Sequence, residues 1–350
     1  MGNSNTMTIG MDLADKYSQI CVLDEDGEVS EEVKVRTTPK AISRYFSRRE
    51  PALVALEVGV HSPWVSQIVG ECDHRVVVAN ARKLALIYKN HDKDDRTDAE
   101  LLARLARVDT KLLSPIQHRK EETRIDLSII RARACLVETR TKLINHVRGA
   151  VKSTGERLAS CTADSFYKLL DDIPTNLRET LRSIINCIEK LTRDIKAYDK
   201  KIDKIINDKY PETETLRQVS GVGPILSLGF ILTLEDPNRF SKSRQVGSYL
   251  GLCPKRSQTG ESDPQLRISK SGDIYIRKLL VGSAQYILGR FAPDSDLRRW
   301  GLKLAQRGGK NAKNRAVVAV ARRLAVLLHR LWLTGEMYEP LRQANQTKTN

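Results

Sequence analysis

The chain has no CxxC pair, no paired histidines beside its six cysteines and no long apolar run. Each absence removes a class of protein. Without Cys/His sets at ligand spacing there is no zinc framework, so Cys21, Cys72, Cys135, Cys161, Cys187 and Cys253, scattered through apolar contexts, are expected to be reduced core thiols in a cytoplasmic protein. No stretch approaches the roughly 18 apolar residues that a spanning helix needs, and the polar start from Met1 to Thr6 lacks the apolar run of a signal peptide, so no membrane partner is expected. Acids are also scarce. The 59 Lys and Arg outnumber the 43 Asp and Glu, giving a net charge of +16, and the segment from Arg298 to Arg330 carries almost no acid. That surplus points to a polyanionic partner and says nothing about fold.

The 350 residues suffice for two or three domains with a substantial core. Strands are predicted at Met7–Leu13, Gln19–Leu23 and Glu28–Val35, the last two joined by a hairpin in which Gly27 supplies a positive φ. A short helix over Pro39–Arg49 follows. The apolar run Ala52–Leu56 reads as a strand buried on both faces, a helix starts at Ser62-Pro63, Val76–Val78 reads as another strand, and a helix is expected over Ala81–Tyr88.

Acidic residues stand where these elements end or begin. Asp12 closes the first strand and Glu57 the buried one, where an α/β sheet opens into its active-site loops. In Lys93-Asp-Asp-Arg-Thr-Asp-Ala99, Asp95 and Asp98 are three apart at a helix start and so share a face. Complementing the helix dipole is the competing explanation for that pair. Taken together, the four carboxylates fit a pair of magnesium ions about 4 Å apart, which stabilise the attacking and leaving oxygens of a phosphodiester.

From about Glu121 to Ile206, apolar residues recur every three to four positions in two runs broken at Ser160–Pro174, the pattern of a coiled-coil-like antiparallel helical pair able to dimerise or to clamp nucleic acid. Further on, Gly221 and Gly223 precede an apolar helix in a helix-hairpin-helix-like turn whose amides could meet a phosphate, though a plain tight turn fits equally. A hydroxyl-rich loop then carries Ser257, Thr259 and Ser262 among Lys255, Arg256, Arg267, Lys270 and Arg277; a hydroxyl among phosphate-binding cations is a candidate nucleophile. Arg307, Lys310, Lys313 and Arg315 add a basic loop suited to phosphate backbones.

Gly10-Met11-Asp12, the strand ending in Glu57, the Lys93–Ala99 motif and the C-terminal Gly-Leu-Cys-Pro…Thr-Gly-Glu-Ser-Asp-Pro-Gln-Leu-Arg-Ile-Ser-Lys-Ser-Gly-Asp with Arg277 resemble, in order from about residue 7 to 340, the DEDD transposases of the "one-ten" insertion-sequence family and its "eleven-eleven" branch, relatives of the Piv-type DNA invertases. The resemblance implies an α/β plus α-helical protein. A RuvC-like, ribonuclease-H-type catalytic domain would span 1–115, a coiled-coil region 116–210 and a mainly helical transposase domain 211–340, with 341–350 a disordered tail. It also implies that Asp12, Glu57, Asp95 and Asp98 hold magnesium and that a C-terminal hydroxyl attacks the scissile phosphate. The implied partners are donor and target double-stranded DNA, a non-coding bridge RNA as guide, and further copies of the chain in a dimer or tetramer. The family's nucleophile lies in a Ser-Gly pair. Here the position reads Thr259-Gly260, so Thr259 is the expected nucleophile and Ser257 or Ser262 the alternatives. A junction-resolving nuclease and a non-catalytic nucleic-acid-binding protein are the rival readings.

Overall fold

The computed structural model describes residues 7–81, 94–260, 262–264 and 266–342. The chain divides into two compact units, Met1–Lys120 and Glu121–Asn350.

The first unit is built on a five-stranded sheet of β1 (Thr8–Asp12), β2 (Tyr17–Leu23), β3 (Val29–Arg36), β4 (Leu53–Glu57) and β5 (Arg75–Ala79). The spatial order is β3-β2-β1-β4-β5. β1 to β3 form an antiparallel meander, and β4 and β5 add parallel to β1. The hairpin between β2 and β3 turns at Gly27, whose φ is 90°, while the Asp24 carboxylate accepts from the amides of Asp26, Gly27 and Glu28. Helices α1 (Pro39–Phe46) and α2 (Ser62–Glu71) cover one face, burying Ile42, Phe46, Val65 and Val69 against Ile9, Met11, Ile20, Val22, Val54 and Leu56. The first of these stops at Phe46, three residues before the expected Arg49.

Helix α3 (Asp95–Val108) covers the other face. Its Leu102 and Ala106 pack on Ala55, Val77 and Ala79, and its Ala99 and Ala103 on Cys21 and Leu23. Small residues let the backbones approach. A Cβ on Gly10 would lie 1.9 Å from the Ala99 carbonyl oxygen, so glycine is required in mid-strand there. Arg104 and Arg107 donate to carbonyls of Gly27, Asp24 and Glu25, holding the C-terminal end of this helix at the hairpin and its first turn at the opposite end of β1. The helix expected over Ala81–Tyr88 falls almost wholly on residues 82–93, outside the described residues, as does Lys93.

The second unit begins with α4 (Glu121–Ser153) and α5 (Thr175–Lys209), the predicted helical pair. They run antiparallel: Arg133 bridges Asp199, Arg140 meets Thr192, and Lys209 meets Glu122 and Asp126. Between them, Phe166 and Ile173 fold over the far end of the pair against Val147, Leu181 and Ile188. At the near end, Leu127, Ile130, Ile202 and Ile206 pack on Leu228 and Leu232 of α7 (Pro224–Leu234), which follows the short α6 (Thr213–Arg217). Packing thus runs across position 210, where the sequence suggests a boundary. Around α7 gather α8 (Arg244–Tyr249), α9 (Ile274–Leu288), α10 (Asp296–Gln306) and α11 (Ala312–Thr334), sharing Phe230, Leu250, Ile276, Leu280, Val320, Leu324 and Leu328. The expected tail lies almost entirely at residues 343–350, outside the described residues.

All six cysteines are free, but the expectation of core thiols holds fully only for Cys21; Cys135 and Cys187 are exposed. Each sits on a long two-helix layer, where one face packs and the other stays in solvent. Among the described residues no helix is long and apolar enough to cross a membrane.

Candidate active site

Register places the carboxylates. Side chains alternate along a strand, and directly paired residues share a face. Gly10 faces α3, so Asp12, two residues on, also faces it. Gly10 pairs with Ala55, so Glu57 faces it too, at the same end of the sheet. Asp95 and Asp98 occupy the first turn of that helix, capped by the Asp94 side chain accepting from the Arg96 amide. Two strand ends and one helix start therefore bring four acids from three separate stretches of chain to one rim.

Their proximity has an electrostatic signature. The carboxyl of Asp12 is pushed up to about 6, first by burial and then by the negative charges of Asp95, Asp98 and Glu57. Among the described residues no three acidic, His or Cys side chains close up to ligand spacing around a point. Burial and the neighbouring negative charges together raise the affinity of Asp12 for a proton. All the donors are carboxylate oxygens, some half-buried and some exposed, a set that fits a hard divalent cation.

Two features here escape sequence reading. His61, in the loop after Glu57, places Nε2 3.6 Å from the Asp15 carboxylate in the loop after Asp12, while Trp64 Nε1 donates to its Nδ1 at 3.2 Å. The ring thus stands between the loops that leave both strand-end acids. Lys34, Arg36, Arg44, Arg48 and Arg49 line a basic groove with Tyr45 along edge strand β3 and α1. Arg49 is paired with Glu31 at 2.5 Å, whereas Lys34, Arg44 and Arg48 are exposed with no acidic partner among the described residues. An i,i+2 pair on a strand and an i,i+4 pair beside a helix would have been a usable signal.

The remaining candidates lie in the second unit. Residues 251–255 and 267–270 pair their backbones at the base of an arm: the Lys255 amide donates to the Arg267 carbonyl, Ser269 to Cys253, and Lys270 to Gly251. At its tip, Thr259 and Ser262 exchange amide-to-carbonyl bonds of 3.1 and 3.0 Å around Gly260. Thr259, Ser257, Ser262, Lys255, Arg256 and Arg267 are all exposed there. Gly221, Gly223, Lys270 and Arg277 line one groove beside α9. Gly221 packs closely on that helix, its carbonyl accepting from Ser283 Oγ at 2.7 Å, while Gly223 is open. Arg277 differs from the expected open phosphate contact. It is 8% exposed and donates to the Leu250 and Ser271 carbonyls, bracing the base of the arm. Arg307 and Lys310 stay exposed on the turn between α10 and α11, and Lys313 and Arg315 on the first turn of α11, where Arg315 donates to the Gly308 carbonyl. Nearby cations are used internally: Arg298 on the Ile287 carbonyl, Arg299 on Asp294, Arg323 over Trp300 and Arg330 on Glu336.

Comparison with known sequences matches two stretches of the chain. A DEDD-type IS110 transposase family matches residues 9–155, which contain all four acids, and the IS116/IS110/IS902 transposase family matches residues 213–298, which contain the arm. The chain is 27% identical to the transposase for insertion sequence element IS1111A of Coxiella burnetii, over 94% of this chain and 90% of that one. It is 28% identical to a probable family 20 transposase of Pseudomonas aeruginosa, over 96% and 99%. The pilin gene-inverting protein of Moraxella bovis is 22% identical over 73% and 71%. Residues 9–155 and 213–298 thus each match a family of insertion-sequence transposases, and the enzyme class of the chain is DNA transposase or recombinase.

Proposed function

We propose that the protein cuts and rejoins DNA by divalent-metal-dependent phosphoryl transfer, with Asp12, Glu57, Asp95 and Asp98 holding two magnesium ions and Thr259 as the attacking hydroxyl. The convergence of four acids on the α3 side of the sheet carries this reading. Bound there, magnesium supplies charge stabilisation to the attacking and leaving oxygens of the phosphodiester. Thr259 Oγ forms a bond to phosphorus as the phosphorus–oxygen bond of the cut strand breaks; the threonine proton leaves to solvent and the departing oxygen gains one. An exposed tip suits a hydroxyl activated only when the arm meets the acidic rim and the DNA, from the same chain or from another copy. The methyl of threonine stiffens χ1 and makes the attack more demanding than serine would.

The exposed cations of the arm, of the turn before α11 and of the β3/α1 groove support contacts with donor and target DNA. The guide in this reading is a non-coding bridge RNA, in keeping with the family resemblance and the net charge of +16. Incubating the protein with its flanking non-coding RNA, magnesium and donor DNA, then mapping any protein–DNA adduct by mass spectrometry, tests the scheme. An adduct on Thr259 that Asp12→Asn abolishes is the expected result. An adduct on Ser257 or Ser262 moves the nucleophile. Magnesium-dependent nicking without an adduct replaces strand transfer with hydrolysis of the junction-resolving kind. Heterogeneous RNA fragments in place of one discrete small RNA on the purified protein would remove the guide.

A further inference from the structure

Gln19 stands directly opposite Asp12 in the β1–β2 ladder and therefore on the same α3-facing side of the sheet. It is 4% exposed, and its Oε1 is buried with no hydrogen-bond partner. A buried amide oxygen without a donor is costly and uncommon, and in a native fold it calls for an explanation. The same face of the sheet carries Asp12 and Glu57 at this end, with Asp95 and Asp98 in the first turn of α3. A cation is the ligand that an amide oxygen and four carboxylates share, and hard divalent cations accept neutral amide oxygens together with carboxylates.

We infer that Gln19 supplies a neutral amide oxygen, alongside Asp12, to the divalent cation at the acidic rim. The inference rests on the reading of these acids as metal-holding and adds a ligand from the middle of the antiparallel meander. A neutral oxygen contributes coordination without adding a fifth negative charge to the four acids. It also gives β2 a direct stake in cation binding, beyond its place in the sheet.

The test is Mn2+ binding to the full chain without nucleic acid, read by calorimetry and by the bound-ion resonance signal, paired with thermal melting in chelator. Gln19→Leu is expected to weaken Mn2+ binding tenfold or more while leaving the chelated melting temperature equal to or above wild type, because the orphaned oxygen is gone. Gln19→Glu, which restores an oxygen, is expected to bind at least as tightly as wild type. Wild-type Mn2+ affinity in Gln19→Leu would overturn the inference and assign the orphaned oxygen to a buried water. If Gln19→Leu melts far below wild type, Gln19→Glu decides alone: tighter binding supports the ligand role, and loss of binding overturns it. Unchanged Mn2+ affinity in Asp12→Asn, or no binding by the wild type, would overturn the carboxylate reading itself and this inference with it.

Discussion

Asp12 carries the clearest residue-level consequence. Its carboxyl is pushed up to about 6 from an ordinary value of 3.8, so between those values the folded state binds more protons than the unfolded one. By linkage, stability of the metal-free protein falls as pH rises through that window, and the penalty is fully present above about 6. The size is at most about 3 kcal/mol, from the width of the shift. Asp12→Asn should therefore raise the melting temperature in chelator at neutral pH and leave it nearly unchanged at a pH below 3.8, as melts at both ends of the window would show. Added magnesium should reverse the order at neutral pH, stabilising wild type and not the variant. A second residue, Gly10, tests the approach of helix to sheet. Gly10→Ala places a methyl 1.9 Å from the Ala99 carbonyl, so α3 must shift, at a cost of about 1–3 kcal/mol and a measurable loss of metal affinity.

At the scale of elements, the antiparallel pair α4/α5 depends on its buried seam. Ile188 is fully buried against Val147, Phe166 and Leu181, and Ile188→Ala should cost roughly 2–5 kcal/mol in denaturant unfolding monitored by circular dichroism. This pair was legible in the sequence because its apolar residues repeat at the helical period over thirty and more positions. Asp12 and Glu57 were legible for a related reason: an acid at the end of an apolar strand contradicts its surroundings. Gln19 was not. Its significance comes from a cross-strand neighbour set by the hairpin, and nothing local distinguishes it from any polar residue on a half-buried strand. Arg277 failed as a surface cation for the same reason. Only the fold shows that the base of the arm needs a buried donor for two carbonyls.

At the scale of the whole molecule, the surplus of positive charge is distributed unevenly, and its placement can be measured. If the groove beside β3 and α1 contacts phosphates, Lys34→Gln/Arg44→Gln/Arg48→Gln should reduce the slope of log affinity against log salt by roughly 0.9 per lost contact on duplex DNA. Removing the same charge from the exposed Lys200, Lys201 and Lys204 of α5 should leave that slope much closer to wild type. Equal effects from the two triple variants would mean that only net charge matters. The sheet topology has a further consequence, in the order of synthesis. β1 lies between β2 and β4, and the four acids are spread from Asp12 to Asp98. At about 5–20 residues per second, the last acid leaves the ribosome several seconds after the first. Until then the nascent sheet carries Asp12 and Glu57 with neither α3 to bury them nor Asp95 and Asp98 to oppose them. The charge conflict is complete only when that helix docks, so seating α3 is the step at which a newly made chain gains the full benefit of a cation.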